Sequence, residues 1–111
     1  MAVSESYREF VIEQMERVKP VTYKKMFGGV GLYCENLFFA LISDDVLYFK
    51  VDDSNRGDFE ALNMEPFRPY GKESYAMQYY EVPIDVLEDP EKLPLWMNKS
   101  LDVARKKSAS K

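Results

Sequence analysis

The first periodic pattern in the chain is that of an α-helix. Apolar side chains between residues 5 and 18 recur three or four positions apart, and they therefore share one face of a helix. The polar face carries Arg8 and Glu9, and Ser6 stands three residues before Glu9, which is the spacing of a capping box. Pro20 then disfavours further helix. The apolar positions are Tyr7, Phe10, Val11, Met15 and Val18. The pattern predicts an amphipathic helix over residues 5–18.

The period shortens after Thr22. Three runs rich in aromatic and β-branched residues follow one another, over residues 28–34, 37–42 and 46–51. Turn-forming residues separate the runs. The middle run is apolar without alternation, which predicts that both of its faces are covered. The third run alternates: Leu47, Phe49 and Val51 are predicted to face the core, and Tyr48, Lys50 and Asp52 the opposite side. Together the runs predict a three-stranded meander.

The second half of the chain predicts shorter elements. Asp52, Asp53 and Ser54 are candidate N-caps for a short helix that carries Phe59 and ends at Asn63. We expect an extended edge piece over residues 64–69, a strand over 75–82 and a turn over 84–88.

A second amphipathic helix follows Asp89, which is a candidate N-cap, and Pro90, which suits a first turn. Pro94 predicts either a later start or a kink, because a proline inside a helix lacks the required amide. The predicted fold is therefore α+β: an antiparallel sheet of about four to five strands, beginning with the N-terminal meander, flanked by N- and C-terminal amphipathic helices. We expect one domain over residues 1–107 and a frayed tail over 108–111.

Composition removes several classes of function. The 111 residues contain no histidine and one cysteine, Cys34. Nucleophile pairs that depend on histidine, zinc clusters of cysteine and histidine, and intrachain disulfides are thereby excluded. No apolar run reaches the length of a membrane span. These features suit a cytoplasmic protein, and no cofactor or metal is expected.

Charge is unevenly distributed. The last thirteen residues carry a net charge of +4 and residues 1–98 a net charge of −8. An acidic body repels phosphate backbones, so strong nucleic-acid binding is not expected. Arg105, Lys106 and Lys107 are the candidate residues for a weak nucleic-acid contact, although basic residues are also favoured at the end of a helix.

Residues 28–31 contain three glycines and leave two interpretations open. Glycine lets backbone amides approach an anion, so this segment, Lys50 and nearby tyrosines could form a small-molecule or anion site, even an enzymatic one. A strand follows these glycines instead of a helix, which favours a bulge or bend. The tyrosines on the predicted sheet, if they share an uncovered face, form a candidate surface for a protein partner or for a homodimer.

Several segments resemble the N-terminal domain of the TfoX/Sxy family of bacterial competence regulators. They occur in order along most of the chain: residues 25–33, 39–42, 47–52, 65–67, 79–83 and 87–90. The family positions, of structural or interaction type, are Met26, Phe27, Gly28, Gly29, Gly31, Tyr33, Tyr48, Lys50, Asp52, Tyr79 and Tyr80.

The resemblance implies an α+β domain with an antiparallel sheet flanked by helices. Full-length members carry a second, C-terminal helical domain and activate DNA-uptake genes alongside the cyclic-AMP receptor protein. We expect this chain to lack that domain and to be a non-enzymatic regulatory domain that binds protein. Expected partners are the transcription machinery, a separate protein supplying the C-terminal domain, or a second copy of the chain; no membrane partner is expected. The resemblance carries over no catalytic, cofactor-binding or metal-binding residue.

Overall fold

A computed structural model describes residues 3–26, 28–69 and 76–109. Five strands form one antiparallel sheet in sequence order, with helices at both ends of the chain. The α+β fold class is thereby confirmed. The elements are α1 Glu5–Glu16, β1 Thr22–Met26, β2 Gly29–Cys34, β3 Leu37–Ser43, β4 Val46–Lys50, α2 Arg56–Glu60, β5 Tyr79–Glu81, α3 Ile84–Leu87 and α4 Lys92–Ala109.

Two tight hairpins connect the predicted meander. Glu35 and Asn36 between β2 and β3 have φ angles of 53° and 64°, and Asp44 and Asp45 between β3 and β4 have φ angles of 53° and 59°. Positive φ at both central residues of a two-residue loop is the geometry whose twist matches that of the flanking strands. The turn positions predicted from the sequence are therefore confirmed.

Strand β1 was not part of the predicted meander. It pairs with β2 from Thr22 opposite Tyr33 to Met26 opposite Gly29, and most of its side chains are exposed. Two adjacent lysines, Lys24 and Lys25, hide any apolar alternation. Such charges are common in edge strands, where they discourage pairing with another chain.

The ends of α1 differ from the prediction. Ser4, not Ser6, is the N-cap: its hydroxyl oxygen accepts a hydrogen bond from the Tyr7 amide at 3.2 Å. The capping box at Ser6 and Glu9 is therefore wrong. The helix ends at Glu16, two residues before the predicted end.

The predicted turn over residues 84–88 is also wrong, because Ile84–Leu87 is one turn of α-helix. Pro83 precedes it in an extended conformation, and Val86 and Leu87 are buried. Burial of these two side chains stabilises a helix too short to persist alone.

β5 is shorter than predicted and has a partner on its outer side. Its described residues begin at Tyr79, and residues 70–75 lie outside the described ranges. The Phe67 amide donates to the Tyr79 carbonyl oxygen at 2.7 Å, and the Glu81 amide donates to the Glu65 carbonyl oxygen at 3.0 Å. The extended edge piece predicted over residues 64–69 is confirmed at these positions.

α4 takes the later start that Pro94 required. One carboxylate oxygen of Asp89 accepts hydrogen bonds from the amides of Glu91 and Lys92, at 2.8 and 3.2 Å. The helix then runs from Lys92. Pro94 falls in its first turn, where a missing amide costs no intrahelical hydrogen bond.

The core lies between the sheet and the helices. Leu47, Phe49 and Val51 are buried as predicted. Burial does not alternate along β3, because its register against β2 shifts between Leu32 and Tyr33. The shift allows two consecutive residues, Phe39 and Ala40, both to be buried. The prediction that both faces of this run are covered is correct only for the face that packs against the helices. On the other face, Phe38 and Leu41 are half-buried.

Candidate functional site

The side of the sheet turned away from α1, α2 and α4 is called the open face below. The pairing register identifies its side chains, because residues directly opposite one another point to the same side. One row crosses all five strands: Lys24, Gly31, Leu41, Tyr48 and Glu81. Flanking pairs on the same side are Met26 with Gly29, Tyr33 with Phe38, and Lys50 with Tyr79.

Aromatic rings form a strip along the open face. The ring centroids of Tyr33 and Phe38 are 5.2 Å apart and stacked, and those of Phe38 and Tyr79 are 5.9 Å apart. Nearby, the rings of Tyr48 and Phe67 are 4.8 Å apart. These spacings lie within the range of favourable aromatic contacts. The strip runs across β2, β3 and β5, with the rings of Tyr33 and Phe38 half-buried and that of Tyr79 buried beside them.

Two lysine ammonium groups lie over these rings. Lys24 Nζ is 5.6 Å from the centroid of Tyr33, and Lys50 Nζ is 5.3 Å from Phe38 and 5.7 Å from Tyr79. A cation within about 6 Å of a ring centroid is attracted to the electron-rich face. The open face therefore combines aromatic surface with positive charge, even though the body of the chain is acidic.

Two tyrosines of the open face, Tyr48 and Tyr79, are neutral near pH 7. Tyr79 is 7% exposed, and burial raises its pKa to about 12. Burial also raises the pKa of Tyr48, and the charge of Glu81 adds to the effect. A neutral phenol donates and accepts hydrogen bonds but is a poor base or nucleophile. These residues therefore suit recognition better than proton transfer.

Two of the predicted site residues lie away from the open face. Tyr80 pairs with Phe49 on the helix side, and its hydroxyl donates to Glu60 at 3.0 Å. Asp52 follows β4, where it accepts a hydrogen bond from the Ser54 amide at 2.8 Å. The hydrogen bonds from Ser54 are the main reason that the pKa of Asp52 is lowered. Both residues serve local structure. Phe27 lies outside the described residues.

The glycines bring the strands close together. Gly28 has a φ of 78°, which glycine adopts without strain. A Cβ on Gly29 would lie 2.7 Å from the Ile42 carbonyl oxygen, and one on Gly31 would lie 2.6 Å from Met26 Cε. Gly29 thus permits close approach of the β3 backbone, and Gly31 makes room for Met26.

A groove of ≈ 520 Å³ lies on the open face beside these glycines. Phe38, Phe67, Met77 and Tyr79 line it together with Gly28 and Gly29, and Asp44 is the charged residue among its described lining. An acidic group beside apolar walls does not favour an anion. Lys50, the cation proposed for an anion site here, has its ammonium group over Phe38 and Tyr79 instead.

The basic run near the end of α4 makes ion pairs with the rest of the domain. Arg105 contacts Glu35 at 2.9 Å and Asp102 at 2.6 Å, and Lys106 contacts Asp52 at 3.1 Å. A phosphate backbone would have to compete with these carboxylates. Lys107 is exposed in the same turn. Nucleic-acid contact by these residues stays a prediction.

Glu35 contacts two cations, Arg105 and Lys19. Its pKa is lowered, first by the hydrogen bond from Lys19 at 3.2 Å and then by Arg105. The group is therefore held in its charged form, and it links α1's end to α4 across the β2–β3 turn.

Asn55 is a structural residue that sequence reasoning missed. It is 2% exposed, its side-chain oxygen accepts from the Asp52 amide at 2.9 Å, and its side-chain nitrogen donates to the Lys50 carbonyl oxygen at 3.1 Å. These bonds fix the chain as it leaves β4. An asparagine after a strand is equally compatible with an exposed turn, so the sequence carried no distinguishing signal.

Neither a metal-binding cluster nor a membrane-spanning helix occurs among the described residues. Within residues 3–26, 28–69 and 76–109, no three side chains of histidine, cysteine, aspartate or glutamate lie in a group that could hold a metal ion. No helix in those ranges is long and apolar enough to cross a membrane.

Comparison with known proteins identifies the family. The family model for the TfoX N-terminal domain matches residues 13–104. The DNA transformation protein TfoX1 of Aliivibrio fischeri (strain ATCC 700601 / ES114) is 38% identical over 71 residues, which are 64% of this chain and 32% of that protein. The chain therefore matches about a third of the length of this relative. By the extent of the family match, the chain belongs to the TfoX N-terminal domain family.

Proposed function

We propose that this protein is a non-enzymatic regulatory domain of the cytoplasm that binds a protein partner through the open face of its sheet. The observation that carries the proposal is the stacked, half-buried pair of Tyr33 and Phe38 on a face that no described helix covers. Apolar surface of this kind is usually occupied by a partner.

The surface also indicates the chemistry of the partner. The groove beside Phe38 and Phe67 can receive an apolar side chain. Lys24, whose ammonium group lies over Tyr33, is exposed on the same face, so a partner segment with carboxylates would be complementary to this lysine. We therefore propose a protein segment that presents an apolar side chain flanked by acidic residues.

The same combination of rings and lysines occurs in surfaces that bind single-stranded nucleic acid. Here the net charge of −8 over residues 1–98 opposes any polyanion. A protein segment is favoured because it can present a few carboxylates without a continuous line of negative charge.

The regulatory setting is proposed from the relative. TfoX1 is named as a DNA transformation protein, and we propose that this domain acts in control of DNA-uptake genes. Its partner would then be a component of the transcription machinery or a protein that supplies the second domain of longer family members.

The absence of catalysis is supported by the chemistry of the open face. The sequence has no histidine, and two tyrosines of the open face, Tyr48 and Tyr79, have raised pKa values. Neither phenol is poised to transfer a proton near pH 7.

A pair of arginine substitutions tests the docking surface. Leu41→Arg places a charge at the centre of the open face, whereas Leu95→Arg places one on α4 at a side chain that is 63% exposed. We expect the first variant to lose the partner that the wild-type chain captures from native lysate, and the second to retain it. Thermal melting checks that both remain folded.

Three results would contradict the proposal. One is equal capture by both variants. The second is tight, salt-sensitive retention of single- or double-stranded DNA by the purified chain in a mobility-shift assay. The third is a dimer, measured by light scattering, that Leu41→Arg dissociates, because a second copy would then occupy the open face.

A further inference from the structure

A second cavity lies on the other side of the β1–β2 hairpin, between that hairpin and the first turn of α1. Its volume is ≈ 430 Å³. Arg8 and Lys25 contribute positive charge to its lining, Gly28 and Gly29 contribute backbone, and Glu5 contributes the one carboxylate among the described lining residues. Lys25 belongs to this side because it pairs with the core residue Val30.

Arg8 is the unusual member of this group. It is 9% exposed, and its guanidinium carbon lies 4.5 Å from the centroid of the Tyr23 ring. Its Nε is buried with no hydrogen-bond partner in the structure. The carboxylate of Glu9 lies 4.0 Å from Nη2, beyond hydrogen-bond distance.

A buried guanidinium nitrogen without a hydrogen-bond partner is costly. Burying a charged group without close counter-charge or full hydrogen bonding destabilises the folded state. Stacking on Tyr23 offsets only part of that cost. A guanidinium group can contact the oxygens of a carboxylate or phosphate through two parallel N–H bonds.

The surroundings suit an anion with two negative charges. Lys25 is exposed on the rim and adds a second cation near Arg8. A Cβ built on Gly28 would meet nothing within 4 Å, so the wall is open at that point. Glu5 opposes an anion and therefore limits the affinity.

We propose that Arg8 and Lys25 bind a phosphate group in this cavity, either as inorganic phosphate or as the phosphate ester of a small molecule. The cavity is larger than a phosphate ion, which leaves room for an organic substituent. Its two cations lie on the helix side of the hairpin, although Gly28 and Gly29 line both this cavity and the groove on the open face.

The experiment is an NMR titration of the full chain in which the Nε–H signal of Arg8 is followed. Sodium phosphate and glycerol phosphate are the two probes, and sodium chloride at matched ionic strength is the control. We expect a saturable shift with a dissociation constant of about 1 mM or below. Tighter binding of glycerol phosphate would identify an ester as the ligand class, and equal binding would identify the free ion.

Variants assign the shift to this cavity. Lys25→Ala is expected to weaken binding about tenfold, which corresponds to the loss of one cation next to the anion. Lys24→Ala removes the same charge from the neighbouring residue on the opposite side of the sheet and should leave the affinity unchanged. Glu5→Gln should tighten binding.

The proposal fails if phosphate shifts the Nε–H signal of Arg8 no further than the chloride control does. It also fails if Lys24→Ala and Lys25→Ala weaken phosphate binding equally. Arg8→Gln is a stricter test when it folds: the titration should then lose its saturable phase. Because the Lys24 and Lys25 variants alter exposed side chains, the comparison holds even where the Arg8 variant is unfolded.

Discussion

The two sides of this sheet are built from the same strands but have opposite properties. In β4, Phe49 is fully buried beneath the helices, while its neighbour Tyr48 is half-buried on the open face. Phe49 contacts Phe39 in the core at a centroid distance of 5.7 Å, and Tyr48 contacts Phe67 at the edge. Alternation along a strand therefore separates residues that hold the fold together from residues available for recognition.

Two positions of the open face carry no side chain. Gly29 and Gly31 lack side chains where other positions of this face carry rings, and Met26 fills the space above Gly31. The surface beside the aromatic strip is consequently set by backbone and by one flexible side chain. Differences in tolerance to mutation between the two sides, and within the open face, follow from this arrangement.

The largest expected effect comes from the buried side of β4. Phe49→Ala should lower the free energy of unfolding by about 3–5 kcal/mol, because it removes a fully buried ring and leaves a cavity. Tyr48→Ala should cost roughly half of that or less, since its ring is already partly in water. Urea unfolding of both variants measures the difference. Equal losses would show that the two faces do not differ in stability as the burial indicates.

An intermediate effect is expected within the open face. Gly29→Ala should cost about 1–3 kcal/mol, because the new methyl group would press on the Ile42 carbonyl oxygen and the backbone must shift. Gly31→Ala should cost less, since the atom in its way is the mobile end of Met26. Thermal melts of the two variants provide the test. A larger loss for Gly31→Ala would mean that Met26 is held as rigidly as the backbone.

The smallest effect is a dependence of stability on alkaline pH. The pKa of Tyr79 is raised to about 12 from 10.0, so the folded chain keeps this proton after the unfolded chain has lost it. Its contribution to stability is complete below about pH 10 and declines as the pH rises toward 12. Tyr79→Phe should remove the part of the decline in stability that comes from titration of this hydroxyl.

Urea midpoints measured from pH 9 upward would detect the change. Tyr23→Phe, which alters an exposed ring on the helix side, is the matched control. If the alkaline decline of Tyr79→Phe equals that of the wild-type chain and of the control, Tyr79 is not buried in solution as it is in the structure.

Local patterns predicted much of the fold because neighbouring residues decided it. The turns at Glu35-Asn36 and Asp44-Asp45 lie where polar residues interrupt apolar runs, and the alternation in β4 assigned Phe49 and Tyr48 to their sides. The first helix was also predicted, since its stripe of apolar residues is long enough for the helical period to be recognised. Periodicity is most informative over such segments.

Other features depended on contacts between distant segments. Edge strand β1 carries lysines and shows no apolar alternation, so only its pairing with β2 reveals it. The single turn of α3 persists because Val86 and Leu87 reach the core. The candidate sites also depend on such contacts. The register across five strands brings the aromatic strip together. Arg8, predicted on the polar face of α1, is buried over Tyr23.

Spacing along the chain and local backbone preferences were sufficient to predict the α+β class, the meander and the side to which each β4 residue points. Residue motifs carried the resemblance to the TfoX N-terminal domain. Contacts between distant segments were needed to assign Tyr79 to the open face and Tyr80 to the helix side, and to bring Arg8 and Lys25 to one cavity. The reason is physical: pairing register and helix docking are set by the summed burial of many residues, and no single segment contains that information.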